Sequence, residues 1–230
     1  IVQVEGKNKF TGLVGQFTVQ GMKHGRSDVS RECIGMQEGD PTTGGSYALL
    51  PEAWYSMTTT KVVISGAGVP TETWNYNYSP SNESWYPCTG SCPTTIWTDV
   101  IAPNGSTTRY TFSNRSDITE SQLLRTEYYA GAAGSSTLLR SEDNGYAPPT
   151  TPSLPASAGI SFLDSVNMAQ VTKYAPLNQR TITQDGQTYT WQALAFDAYA
   201  RPTDEKRSNN ITGQAPFEET TTYLNDTNAW

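Results

Sequence analysis

The sequence predicts an all-β fold in which antiparallel hairpins build a twisted, partly open β-sheet or a β-sandwich-like unit. Three observations predict it. The 230 residues include 32 Thr, 13 Tyr and 6 Trp, types that suit a pleated, half-buried surface. Several stretches alternate large and small side chains with a period of two, the strand signature. Asn-Gly and Asp-Gly pairs sit between such stretches, where tight hairpin turns need residues that tolerate positive φ.

The elements follow in chain order. Phe10 to Val19 and Thr58 to Ser65 read as strands, with Gly21 to Gly45, rich in Gly and polar residues, read as a connection between them. Residues Thr71 to Tyr78 give the cleanest alternation, with Glu72, Trp74, Tyr76 and Tyr78 on one face and Thr71, Thr73, Asn75 and Asn77 on the other. Thr94 to Ile101 and Ser106 to Ser113 are expected to pair across Pro103-Asn104-Gly105, because Asn-Gly between alternating runs is a strong hairpin signal. Leu123 to Tyr129 and Thr137 to Ser141 are further strands; tandem Tyr128 and Tyr129 favour strand over a helical turn opened by Asp117. Val166 to Tyr174 follows, and Arg180 to Gln184 pairs with Gln187 to Gln192 across Asp185-Gly186, which places Tyr189 and Trp191 on one face. Glu219 to Leu224 closes the series. Pro148, Pro149, Pro152 and Pro155 stiffen Tyr146 to Gly159, so residues 146–159 read as a linker or covering loop between β-rich regions 1–145 and 160–230. The repetition has no fixed period, which separates it from a propeller or solenoid.

Composition narrows the chemistry. Fifteen Lys and Arg against 22 Asp and Glu leave a net charge of −7, and without a basic stripe a nucleic-acid partner is not expected. No apolar run approaches the roughly 18 residues of a membrane-spanning helix. Ile1 to Val4 shows neither an initiator Met nor a basic leader region, so a processed or excised chain is expected. Three Cys and one His are too few for tandem zinc spacing, so no metal is expected. A disulfide between Cys88 and Cys92 is the candidate pairing in an oxidising compartment, with buried free thiols as the alternative. A catalytic triad would have to use His24, and no Gly-x-Ser-x-Gly elbow accompanies it. No cofactor motif and no calcium loop occurs. A glycosidase needs only two facing carboxylates, for which Asp99, Asp164, Asp185, Asp197, Glu218 and Glu219 are formally eligible. Trp54, Trp85, Trp97 and Trp230 lie near turns or segment ends and could stack on glycans. Their size favours use in the interior instead, since the chain has few other large apolar groups. Five Asn-x-Ser/Thr triplets, at Asn82, Asn104, Asn114, Asn210 and Asn225, do not by themselves establish glycosylation in a chain this rich in Asn, Ser and Thr.

Two segments resemble a known family. Residues 103–115, Pro-Asn-Gly-Ser-Thr-Thr-Arg-Tyr-Thr-Phe-Ser-Asn-Arg, resemble the tyrosine-aspartate (YD) repeats of the RHS proteins, with Gly105, Tyr110, Phe112 and Arg115 in the motif places. Residues 196–202, Phe-Asp-Ala-Tyr-Ala-Arg-Pro, match the Asp-x-x-Gly-Arg part through Phe196, Asp197, Tyr199 and Arg201. The Asp185-Gly186 hairpin precedes this second segment, and Glu219 to Tyr223 is similar to the stretches between repeats. Ser113 stands for the motif's Asp, the turn before Arg115 is short, and Ala200 stands for its Gly. If the Ala200 position needs positive φ, the turn is strained by about 1 kcal/mol.

The resemblance implies a degenerate-repeat piece of a large exported bacterial protein, secreted or on the cell surface, whose hairpins wind into a hollow shell around a C-terminal effector. The implied partner is the rest of the same polypeptide and the implied role is structural, without catalysis. A carbohydrate-binding β module that takes glycans is the alternative, and a carboxylate-based glycoside hydrolase the third.

Overall fold

The computed structural model describes residues 2–7, 14–25, 34–39, 46–50, 53–66, 68–80, 94–114, 121–155 and 174–224. Every regular element among them is a strand. The chain divides into two compact units, residues 1–138 and 139–230, and within each the described strands pair antiparallel.

In the first unit, β1 (Val2–Lys7), β2 (Val14–Gly25), β5 (Ala53–Gly66), β6 (Val69–Tyr78), β7 (Thr95–Ile101), β8 (Thr107–Ser113) and β9 (Leu123–Tyr129) lie side by side in that order. β3 (Ile34–Gly39) and β4 (Ser46–Leu50) form a separate two-stranded ribbon between β2 and β5 in sequence. The polar stretch Gly21 to Gly45, read as a connection, is therefore partly strand. Gly21 to Gly25 continue β2 opposite Met57 to Ala53 of β5, because a long antiparallel partner supplies backbone hydrogen bonds whatever the local propensity.

The turns explain the registers. Gly105 donates its N–H to the Ala102 carbonyl, Ala102 donates to the Ser106 carbonyl, and Gly105 has φ +83°. This is a three-residue loop, a type I turn followed by a left-handed residue. Pro103 suits the first central position because its ring fixes φ near the required value. The loop sets Asp99 opposite Arg109 and Trp97 opposite Thr111. Pairs of this kind share a face, so one face carries Trp97, Asp99, Arg109, Thr111, Arg125 and Glu127, and the other carries Tyr76, Val100, Thr98, Tyr110, Phe112 and Tyr128.

The second unit orders β10 (Leu138–Tyr146, of which Leu138 belongs to the first unit), β11 (Leu177–Gln184), β12 (Gln187–Phe196), β13 (Pro202–Asn209) and β14 (Phe217–Thr220) as a meander. Asp185 and Gly186 both take positive φ, +51° and +75°, which makes the β11–β12 connection the two-residue turn expected of Asp-Gly. The core is small: Ala147, Ala193 and Phe196 are buried, and Trp191 and Leu154 pack on them. Burying a side chain like Phe196 contributes roughly 1.5–3 kcal/mol. Tyr146 to Pro155 lie within this unit, where Leu154 covers the cluster and Ala147 donates its N–H to the Pro176 carbonyl. The expected strand Val166 to Tyr174 lies almost wholly outside the described residues.

Among the tryptophans whose burial is described, the indoles are only partly covered. Trp74, Trp97 and Trp191 are half-buried, and no large side chain among the described residues is fully buried. Trp191 packs on the buried cluster of the second unit, and Trp85 and Trp230 lie outside the described residues. The two units are thin sheets whose large side chains lie against neighbours on the same face, so each ring keeps part of its surface in solvent.

Candidate functional site

The best-defined side-chain constellation stands at the turn between β12 and β13. Asp197 donates its N–H to the Arg201 carbonyl, and Ala200 donates to the Asp197 carbonyl. The loop is the same type as at residues 102–106, with Ala200 at φ +59° where Gly105 stands in the other. The positive φ at the motif's glycine position is therefore kept although the glycine is not. The Asp197 side chain organises the loop from inside. Its Oδ1 accepts from the N–H groups of Tyr199 (2.9 Å) and Arg201 (3.0 Å), and its Oδ2 accepts from Arg201 Nε at 2.7 Å and Arg201 Nη2 at 2.5 Å.

Arg201 also lies over two rings, 5.0 Å from the centroid of Tyr199 and 4.1 Å from that of Tyr223. A planar cation with a fixed donor fork can serve a carboxylate at its edge and aromatic faces on its sides. Tyr223 follows β14, whose end is marked by Thr221 donating to the Thr203 carbonyl, so the segment after β14 is held against the turn. Partial desolvation works against the Asp197 charge. The Arg201 side-chain and backbone hydrogen bonds, the Tyr199 N–H and the Arg201 charge outweigh it and hold this carboxyl below its ordinary value.

The other motif residues divide. Gly105 closes its loop as above, Asp185 and Gly186 form the exposed β11–β12 turn, and Phe196 joins the buried cluster. Tyr110 and Phe112 sit half-buried on the same face of β8. Arg115, Cys88 and Cys92 lie outside the described residues. Residues 115–120, and with them the turn at Arg115, lie outside the described residues, but the chain on either side of them is paired. Ser113 donates to the Gln122 carbonyl, and Ser121, at φ +65°, donates to the Ser113 carbonyl. This neck repeats the closure at Asp197, Ala200 and Arg201, with the intervening chain lengthened and Ser113 buried at 3% exposure in place of an aspartate.

A second carboxylate–guanidinium pair was not singled out from the sequence. Asp99, 6% exposed, faces Arg109 across β7 and β8 and receives two parallel hydrogen bonds, from Nε at 2.7 Å and Nη2 at 2.8 Å. The Asp99 hydrogen bond comes first among the influences that hold Arg109 more firmly protonated than a free guanidinium, and burial opposes it. The Arg109 guanidinium lies 4.3 Å from the Trp97 ring centroid. Asn77, Asp99, Arg109 and Glu127 form one row across four strands, and Arg125 pairs with Glu127 at 3.1 Å.

The carboxylates eligible for acid–base work are mostly engaged. Asp99 and Asp197 hold arginines, Glu218 holds Lys206 at 2.7 Å and Glu219 holds Arg207 at 3.2 Å. Asp185 is exposed at its turn, and Asp164 lies outside the described residues. His24 stands in β2 opposite Trp54 of β5. Among the described residues no group of three or more His, Cys, Asp or Glu is placed to hold a metal ion, and no helix is long and apolar enough to cross a membrane. No family model, curated protein or solved structure matches the chain.

Proposed function

We propose that the chain is a non-enzymatic structural segment, a stretch of β wall in a large exported bacterial protein of the RHS/YD-repeat type. The observation that carries the reading is the recurrence of one hairpin closure. It appears at 102–106, at 197–201 and, with a lengthened loop, at 113–122. In the second case it is locked by the Asp197–Arg201 pair that the motif's Asp and Arg supply.

Thin antiparallel meanders with half-buried aromatic faces suit a wall that gains its second layer from the rest of the polypeptide. The shell would be secreted or on the cell surface and would enclose an effector segment. In the carbohydrate-binding alternative a glycan would stack on indoles such as Trp97, over which the Arg109 guanidinium lies. The test is protease protection of the longer polypeptide that carries this chain. An intact wall leaves an enclosed segment resistant, and the double variant Asp197→Ala/Arg201→Ala exposes it to cleavage. Equal cleavage of wild type and variant, together with glycan binding by the isolated chain, would overturn the reading.

A further inference from the structure

We propose that Asn104 is a site of spontaneous deamidation that yields aspartate and isoaspartate at the tip of the β7–β8 hairpin, and that the chain's other Asn-Gly pair, at Asn144, is protected. The reaction begins when the Gly105 backbone nitrogen attacks the Asn104 side-chain carbonyl carbon. The N–H proton goes to hydroxide, a C–N bond forms, and the carboxamide nitrogen leaves as ammonia. Water then opens the five-membered imide at either carbonyl. No oxidant, metal or enzyme takes part.

The hairpin tip favours the attack. Asn104 and Gly105 are exposed, and a side chain at Gly105 would meet nothing within 4 Å, so the one contact that must open before base takes the Gly105 proton is the turn's own hydrogen bond to the Ala102 carbonyl. Asn104 Oδ1 accepts two hydrogen bonds, from Ser106 N–H at 3.0 Å and Ser106 Oγ at 2.7 Å. The first bond closes a ring of atoms that includes the Gly105 nitrogen, which folds the carboxamide back over the peptide it must react with. Both donors also point at the oxygen that becomes negative in the tetrahedral intermediate, and preorganised donors of that kind lower a barrier of developing charge.

Asn144-Gly145 has the same dipeptide in the opposite setting. It lies within β10, with Asn144 opposite Arg180 and Gly145 opposite Gln179. Asn144 Oδ1 accepts from Arg180 Nε at 3.1 Å across the strands. The space beside Gly145 is filled, with Asn178 Oδ1 and Gln179 Cβ 3.3 Å from an added Cβ. Attack there requires the strand to open first.

The modification has a structural consequence. Aspartate at 104 keeps both donors with a full negative charge, whereas isoaspartate inserts a backbone methylene into a loop whose closure depends on three residues. The same closure sets Asp99 opposite Arg109, so the isoaspartyl form loosens that pair.

The test is peptide mapping of the purified chain during incubation at mildly alkaline pH, with isoaspartate read by enzymatic methyl transfer to its free carboxylate and Asn104→Asp as the reference product. Asn104 is expected to convert about tenfold faster than Asn144 or more, the factor that ladder hydrogen bonds impose on local opening. The rate should rise with pH. Ser106→Ala, which leaves the backbone closure of the loop in place, should slow conversion at Asn104 and leave Asn144 unchanged. Equal rates at the two sites, or a rate at Asn104 that Ser106→Ala does not reduce, would overturn the proposal.

Discussion

Replacing Ala200 by glycine tests the turn chemistry most sharply, because it removes a side chain and is expected to stabilise the protein. Ala200 sits at φ +59°, where an L-residue is disfavoured by roughly 1–2 kcal/mol. Glycine relieves that strain but gives the unfolded chain more freedom, which costs about 0.4–1 kcal/mol. The loss of one half-buried methyl costs roughly another 0.3 kcal/mol, scaled from a fully buried group. The net expectation is a gain of about 0.5 kcal/mol. In urea unfolding the midpoint should rise with no change in slope, and the thermal midpoint should rise by about 2–4 °C for a unit of this size. Gly105→Ala is the mirror experiment. That residue has φ +83° with open space around it, so the dihedral cost stands alone and a loss of roughly 0.5–1 kcal/mol is expected. If Ala200→Gly destabilises, or if both variants shift stability in the same direction, the assignment of one closure to both hairpins is wrong.

The ion pairs give further predictions. Arg109→Met strands the Asp99 carboxylate and should cost roughly 1–3 kcal/mol in chemical denaturation; Arg109→Lys should recover only part, since an ammonium cannot make the parallel pair of bonds, and full recovery would show that charge alone matters. Tyr223→Ala should cost about 0.5–1 kcal/mol of ring–cation attraction and speed amide exchange at Thr221, whereas unchanged exchange would mean the segment is not held by the ring. The lowered Asp197 carboxyl contributes stability that is present above the unfolded value of about 3.9 and is lost as pH falls through the lower folded value. Asp197→Asn should flatten that acid arm. Burial first, then the charge and side-chain hydrogen bond of Glu127, raise the Tyr129 phenol. Its contribution is present below about pH 10 and lost as pH rises through the folded value, so Tyr129→Phe should flatten the alkaline arm.

Strand positions were legible where side-chain period and turn chemistry agreed. Leu123 to Tyr129, and the hairpins around Gly105 and Asp185-Gly186, carry their own signals. Gly21 to Gly25 did not, because what makes them strand is the partner Ala53 to Met57, a non-local fact. The Asp99–Arg109 pair was missed for a finer reason. A two-residue Asn104-Gly105 turn would set Asp99 opposite Tyr110, and a one-residue change in register moves a side chain to the other face. The three-residue loop that includes Pro103 instead sets it opposite Arg109. Pro103 at the first central position was the available clue. Tyr223 reaches Arg201 only through the return of β14 along β13, which no local pattern announces. The Asp197–Arg201 pair was legible because it is closed within five consecutive residues.

The most direct test of the proposed wall is an electron cryo-microscopy reconstruction of the polypeptide that contains this chain. The account predicts a curved sheet in which further antiparallel hairpins continue beyond β14, with an arginine–carboxylate pair at the turns that keep the motif and the half-buried aromatic faces covered by the rest of the protein. A chain that folds as a separate module, with β14 at a free edge and an open cleft lined by two facing carboxylates, would contradict it.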